Sequence, residues 1–314
     1  MTAAGTGAGV LRIATRRSPL AMWQAEHVAE RLRTAHPALG VELLPMTTQG
    51  DRELSRSLAT SGGKGLFVKE LELAMLEGRA DIAVHSMKDV PAQLPDGLAL
   101  TAILAAENPR DAFVSNRHDG LDALPRGARV GTASLRRQSQ LKALRPDLVI
   151  EVLRGNVNTR LKRLDDGDFD AILLACAGLE RLGFHDRIRE ALDPATFVPA
   201  CAQGIIGIES RDDEALRARL APLHDGPTAI RLAAERAFSA RLGGACTVPV
   251  AGHARLDGDR IHLDGLVASP DGLSLVRDQC AASAADAADC GRGLAETLLE
   301  RGARAILADM GIEA

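Results

Sequence analysis

Apolar positions in the first two-thirds of the chain follow two rhythms. Short runs rich in branched residues read as strands: "VLRIAT" (10–15), "VELLPM" (41–46), "DIAVH" (81–85), "RVGT" (129–132), "VIEVL" (149–153) and "AILLA" (171–175). Between them, apolar residues recur at helical spacing in "LFVKELELAMLEG" (66–78) and "SLRRQSQLKALR" (134–145). Ser18 and Pro19 predict a helix start, with a side-chain cap and a proline in the first turn, and Ala21, Ala25, Val28 and Leu32 form its buried face. Strands alternating with helices predict parallel sheets covered on both faces.

Two proline-containing stretches, "AAENPRDAF" (105–113) and "DPATFVPACAQG" (193–204), read as crossings between domains. The pattern changes after Pro227. A helical run, "TAIRLAAERAFSARLG", leads towards Cys246, and three strand-like runs follow, separated by the turn signals "LDGD" and "SPDG". A last helix spans roughly 292–309. This predicts a small α+β domain with a three-stranded antiparallel sheet.

Composition narrows the picture. At 314 residues the chain is too long for one typical core. With six Phe, one Trp and no Tyr, its cores must be built from aliphatic residues. A formal net charge of −4 gives no global field for nucleic acid. No apolar run reaches the roughly 18 residues that span a bilayer. The opening "MTAAGTGAGV" lacks the features of a signal peptide, so a cytoplasmic protein is expected. Five widely spaced cysteines without a CxxC pair support neither a zinc site nor a disulfide framework.

The cations are not evenly spread. Arg16 and Arg17, Lys88 beside Asp89, Arg136 and Arg137, and Arg154 followed by Arg160 all fall at predicted strand-to-helix junctions. Ligands of open α/β sheets bind beyond the strands' carboxyl ends, where helix N-termini also favour anions. A polyanionic ligand held by guanidinium forks is implied. Arg12, Arg31, Arg33, Arg163 and Arg181 read as surface charges, and His85 as a packed strand-end residue without a metal partner. Phe67, Val68, Leu71 and Met75 read as helix core. "SGGKGLF" (61–67) fails the phosphate-loop pattern, because Leu58 and Gly65 stand where Gly and Ser or Thr are needed. It reads as a flexible loop carrying Lys64. Asp89, among cations that favour its charged form, is either half of a surface pair or a proton-handling group. "ARLGGACTVPVAG" (240–252) places Cys246 behind tiny residues, either as a small core hydrophobe or as an attachment point.

Seven stretches in order, "RIATRRSPLAMWQA", "GGKGLFVKELE", "AVHSMKDVP", "NPRDAFVS", "GTASLRRQSQL", "LRGNVNTRL" and "ACAQGIIGIE", resemble the porphobilinogen deaminase (hydroxymethylbilane synthase) family. The resemblance runs from about Leu11 to Gly252 and weakens beyond. It implies two α/β domains like the halves of a type II periplasmic binding protein, and a smaller third domain carrying the cysteine. The boundaries would be 1–104 with 200–224, then 105–199, then 225–314. It implies that four porphobilinogen molecules are joined head to tail, losing ammonia, on a dipyrromethane cofactor thioether-linked to Cys246. Ala245 departs from the family pattern, which has two glycines directly before the cysteine.

By position, Asp89 resembles the catalytic carboxylate that protonates the leaving amine and stabilises cationic intermediates. Ser86, Lys88, Thr132, Ser134, Arg136, Arg137 and Arg154 resemble cofactor-binding residues. Arg16, Ser18, Lys64, Phe67, Arg154, Arg160 and Gln203 resemble the substrate-binding set. The resemblance implies a monomer, and the charge, apolar runs and residue spacings above lead to no expected nucleic acid, membrane or metal partner. The other thiols are no competitors on position: Cys176 is placed in a strand, Cys201 in a crossing, and Cys280 and Cys290 in the tail. Two rival readings remain. A binding module for a carboxylated ligand would explain the arginines but not Cys246 and Asp89. A pyridoxal-phosphate enzyme would use Lys88 as its Schiff base, with nothing else in support.

Overall fold

The computed structural model describes residues 9–52, 65, 67–244 and 248–312. Lys64 and Cys246 lie outside the described residues. Strands β1 (Val10–Arg16), β2 (Gly40–Met46), β3 (Ile82–Ser86) and β4 (Leu98–Ile103) alternate with helices α1 (Pro19–Ala35), α2 (Gln49–Arg52) and α3 (Lys69–Leu76). The chain then builds β5 (Asp111–Val114), β6 (Arg129–Gly131), α4 (Leu135–Leu144), β7 (Val149–Glu151), α5 (Val157–Asp165), β8 (Ala171–Ala175), α6 (Cys176–Arg181) and β9 (Glu190–Ala191). It returns through β10 (Ile206–Arg211) and α7 (Glu214–Leu220).

The two five-stranded sheets share one plan, β2-β1-β3-β10-β4 and β7-β6-β8-β5-β9. In each, three parallel strands are followed by one that runs the other way, β10 or β5. The sequence predicted parallel sheets, so this is a correction. Each reversed strand follows a crossing, so the chain enters the new sheet from its carboxyl edge and must run away from it. Residues 111–113, assigned to a crossing by sequence, form part of β5. Apolar clusters pack both faces of each sheet: Leu11, Ile13, Val28 and Ile208 on one side of the first, Ala14, Leu71 and Met75 on the other. The two α/β units expected from the sequence are present.

The last part contains α8 (Gly226–Arg241), the antiparallel sheet β11 (Val250–Asp257), β12 (Arg260–Ala268) and β13 (Leu275–Ser283), then α9 (Ala287–Leu298) and α10 (Arg304–Asp309). The expected three-stranded sheet is found. The terminal helix begins earlier than predicted and is interrupted at Gly302, whose φ is 115°. Phe238 of α8 is fully buried at the centre. A Cβ at Gly265 would lie 2.7 Å from its ring and one at Gly252 3.0 Å away, so the strands beneath it need glycine there. Cys280 and Cys290, ten positions apart in sequence, form a disulfide between β13 and α9, with Cα atoms 6.5 Å apart. This corrects the expectation of no disulfide, because the turn after β13 folds the chain back on itself.

Glu235 of α8 fastens this unit to the crossing. Its buried carboxylate accepts from Ala202 N–H (2.5 Å) and Ala254 N–H (2.6 Å). Ala202 has φ 63°, a left-handed conformation unusual for a residue with a Cβ. Burial pushes the Glu235 carboxyl up to about 7, with the two N–H donors acting against it. The folded chain therefore holds this proton more tightly than the unfolded chain, and the stabilisation is lost as pH rises from about 4.5 through about 7. Glu235→Gln should be less pH-dependent than wild type across that window. Urea denaturation at pH 5 and pH 7.5 checks this, and equal slopes for both proteins would contradict it.

Candidate active site

The carboxyl ends of β1, β3 and β8 meet the N-termini of α1, α4 and α5 around one cleft of about 650 Å³. Each helix start is capped by its own sequence. Ser18 accepts from Ala21 N–H (3.4 Å), Ser134 from Arg137 N–H (3.5 Å) and Asn156 from Thr159 N–H (2.9 Å). Three positive helix ends therefore face one space, which favours anions. The described lining includes Arg16, Arg17, Lys88, Arg136, Arg137, Arg154, Arg160, Arg181 and Arg236, against the carboxylates of Asp51 and Asp89 only. Such an excess of cations needs an anionic ligand to offset it.

Asp111, the first residue of β5, lies opposite Ala175 at the end of β8. Its buried carboxylate accepts from Arg136 (2.7 and 3.0 Å), Arg137 (2.7 and 2.9 Å) and Gln203 (3.1 Å). Burial would raise its pKa, but the two guanidiniums and Gln203 outweigh that and hold it well below the carboxylate range. Each arginine also donates to a backbone carbonyl, Arg136 to Val198 (2.8 Å) and Arg137 to Leu173 (2.9 Å). Two cations thus share one anion, leaving a net positive charge on the floor.

Lys88 and Asp89 occupy a short 3-10 turn directly after β3. Burial pushes Lys88 down to about 8, with Arg137 adding to this and Asp89 and Asp111 opposing it. Its ammonium donates to Gln203 (3.4 Å). Burial likewise brings Arg160 down to about 10, with Asp89 opposing. Asp89 therefore lies within electrostatic reach of both Lys88 and Arg160. Arg16 forks onto Asp51 and stacks over Phe67 at 4.3 Å. Burial would raise Asp51, yet Arg16 and Thr48 hold it low. Ser86 exchanges hydrogen bonds with the buried Gln24. A side cavity of about 60 Å³, lined by Arg16, Ser18, Gln24, Phe67, His85, Ser86 and Asp89, adjoins the cleft.

The structure brings together Arg16, Ser18, Phe67, Ser86, Lys88, Asp89, Ser134, Arg136, Arg137, Arg154, Arg160 and Gln203. Thr132 is buried behind the wall, where its hydroxyl accepts from Ser134 N–H (3.2 Å). Arg154 lies in the link between β7 and α5, not at a strand end. Phe67 is half-buried on the cleft, whereas Val68, Leu71 and Met75 are core as expected. His85 is packed as expected, with Nε2 2.9 Å from Glu209.

Arg181 is not a surface charge. It is buried against Glu107 (2.8 Å) and the Gly204 carbonyl (2.8 Å), lies 5.9 Å from the Trp23 ring and reaches the cleft. Its place after a short helix gives no sign of burial, which comes from packing between the lobes. Cys176 begins α6 instead of lying in a strand, and burial pushes its thiol up to about 12. Cys201 does line the cleft, so sequence position alone understated it, but burial raises its thiol strongly. Sequence reasoning also missed Asp51, Asp111 and Arg236, whose roles depend on partners distant along the chain.

A two-lobed α/β protein with a cationic cleft, joined to an α+β unit, is thereby defined. Solved structures similar to it include the periplasmic VFT2 domain of Bordetella pertussis BvgS (16% identity, TM-score 0.42, covering 68% of this chain and 86% of that one). Another is a putative methionine-binding lipoprotein from Bacillus subtilis (13%, 0.42, covering 71% and 92%). Residues 11–218 match the family described as porphobilinogen deaminase, dipyromethane cofactor binding domain, and residues 229–300 match porphobilinogen deaminase, C-terminal domain. The chain belongs to the porphobilinogen deaminase family. It is an enzyme that joins four porphobilinogen molecules into hydroxymethylbilane with loss of ammonia, using a dipyrromethane cofactor, in tetrapyrrole biosynthesis. The cleft fits that cofactor: pyrroles bearing carboxylates match its guanidinium forks and helix N-termini.

Asp111→Ala would leave Arg136 and Arg137 buried without their carboxylate. A loss of about 3–5 kcal/mol is expected in urea denaturation. A loss below about 1 kcal/mol would show that the triad is not structurally required.

Proposed function

We propose that Asp89 is the acid–base group of the reaction and Cys246 the thiol that carries the cofactor. Ser86, Lys88, Thr132, Ser134, Arg136, Arg137 and Arg154 would hold the dipyrromethane. Arg16, Ser18, Lys64, Phe67, Arg154, Arg160 and Gln203 would hold porphobilinogen. The observation that carries this reading is Asp89 lining a cleft whose other described charges, Asp51 aside, are positive.

The dipyrromethane, when bound, supplies the primer to which new rings are joined. The chain's own residues do the rest. Arginines bind and orient the carboxylates of each ring, and paired cations such as Arg136 and Arg137 stay fixed because Asp111 anchors them. Asp89 carries a proton to the departing amine, and as a carboxylate it balances the positive charge that develops at the reacting carbon. Lys88 and Arg160, both shifted towards their neutral forms by burial, are drawn back towards full charge by each carboxylate that enters.

The sheets support dividing the chain into 1–104 with 200–224, 105–199 and 225–314, since each range contains one sheet. No helix among the described residues is long and apolar enough to cross a membrane. We place the enzyme in the cytoplasm as a monomer that acts on the small molecule and binds no nucleic acid.

Intact mass of holoenzyme should exceed that of the chain by one dipyrromethane, and Cys246→Ser should abolish the excess. An adduct retained by that variant would move the attachment elsewhere. Asp89→Asn should keep the fold and slow turnover by about 100-fold or more. Near-normal turnover would remove Asp89 from the mechanism.

A further inference from the structure

Arg236 stands in α8, half-buried at the edge of the cleft. Its guanidinium donates to the carbonyls of Pro91 (2.8 Å), Ala92 (2.9 Å) and Val90 (3.4 Å). Those are the three residues immediately after Asp89. They belong to neither a strand nor a helix, so their carbonyls need partners from elsewhere. No ion pair within 4.0 Å involves Arg236 among the described residues, so its donors go to this backbone. A lysine could not make the same fork, because its donors radiate from one atom.

The helix supplying this clamp ends at Arg241, five positions before Cys246 in sequence. The preceding residue, Glu235, holds Ala202 N–H of the crossing, next to Gln203 on the cleft wall. Adjacent charges on one helix thus grip both the acid's turn and the crossing. Because side chains at successive helix positions diverge, the pair can reach two different segments.

We propose that Arg236 is a positioning residue for Asp89, fixing the acid's turn to the C-terminal unit that leads to the cofactor thiol. The proposal rests on the assignment of Asp89 as the catalytic carboxylate. Small displacements of a reacting group cost large factors in rate, so a clamp on this turn has a kinetic signature. It acts through the turn after Asp89, to whose carbonyls its donors go.

A double-variant cycle tests this. Wild type, Asp89→Asn, Arg236→Met and the double variant are prepared as holoenzyme, and adduct mass, thermal midpoint, kcat and KM for porphobilinogen are measured for each. Arg236→Met should carry the normal adduct, with KM within about twofold and kcat down about tenfold to a hundredfold. The double variant should be no slower than Asp89→Asn, because the clamp has nothing left to position. Arg236→Lys, as the milder change, should lose less kcat and show the same non-additivity, and it decides the case if Arg236→Met does not fold. Additive losses, unchanged kcat, or a loss that shows instead as raised KM or missing adduct would overturn the proposal. Near-normal turnover of Asp89→Asn would overturn the assignment of Asp89 itself, a separate result.

Discussion

Two guanidiniums sharing one buried carboxylate set the terms for the rest of this molecule. Asp111 can reach Arg136 and Arg137 only because β5 runs against its neighbours, which puts its first residue at the carboxyl end of β8. The same placement lets Gln203, arriving on the return crossing, bridge from Asp111 to Lys88. A charged triad of this kind would be costly alone, since taking charges out of water is repaid only by near-complete hydrogen bonding. Here the backbone carbonyls of Val198 and Leu173 and the amide of Gln203 complete the set.

The remaining positive charge explains the chemistry of the cleft. Burial depresses Lys88 and Arg160, and the neighbouring cation Arg137 adds to it. A ligand with repeated carboxylates relieves that strain at each ring. A reaction that generates positive charge at carbon would suffer in such a field without a local anion, and in the proposed reading Asp89 supplies it. The family's chemistry and the electrostatics of the cleft thus require the same arrangement.

Much of this was legible in the chain. The six strands read from apolar runs and the cap at Ser18 all depend on local preference, and each is present. The junction arginines were found because strand-to-helix boundaries are visible in sequence. What was not legible depended on contacts far apart in the chain. The reversed β5 and β10 are short and lie beside the crossings, so nothing local tells their direction. Arg181 looks like any helix-end cation until Glu107 and Trp23 close over it. Asp111 reads as a polar residue after a proline-arginine pair, and only the fold brings its partners. Cys280 and Cys290 looked unrelated until the turn after β13 joined them.

The central claim is that the cleft's positive charge is balanced by the carboxylates of its bound pyrrole chain. The direct test compares thermal unfolding of holoenzyme with apoenzyme made in a host that cannot supply porphobilinogen, at low and high salt. Holoenzyme should unfold several degrees higher at low ionic strength, and added salt should narrow the gap by screening the repulsion in the apo cleft. Equal midpoints, or a gap that does not respond to salt, would contradict it.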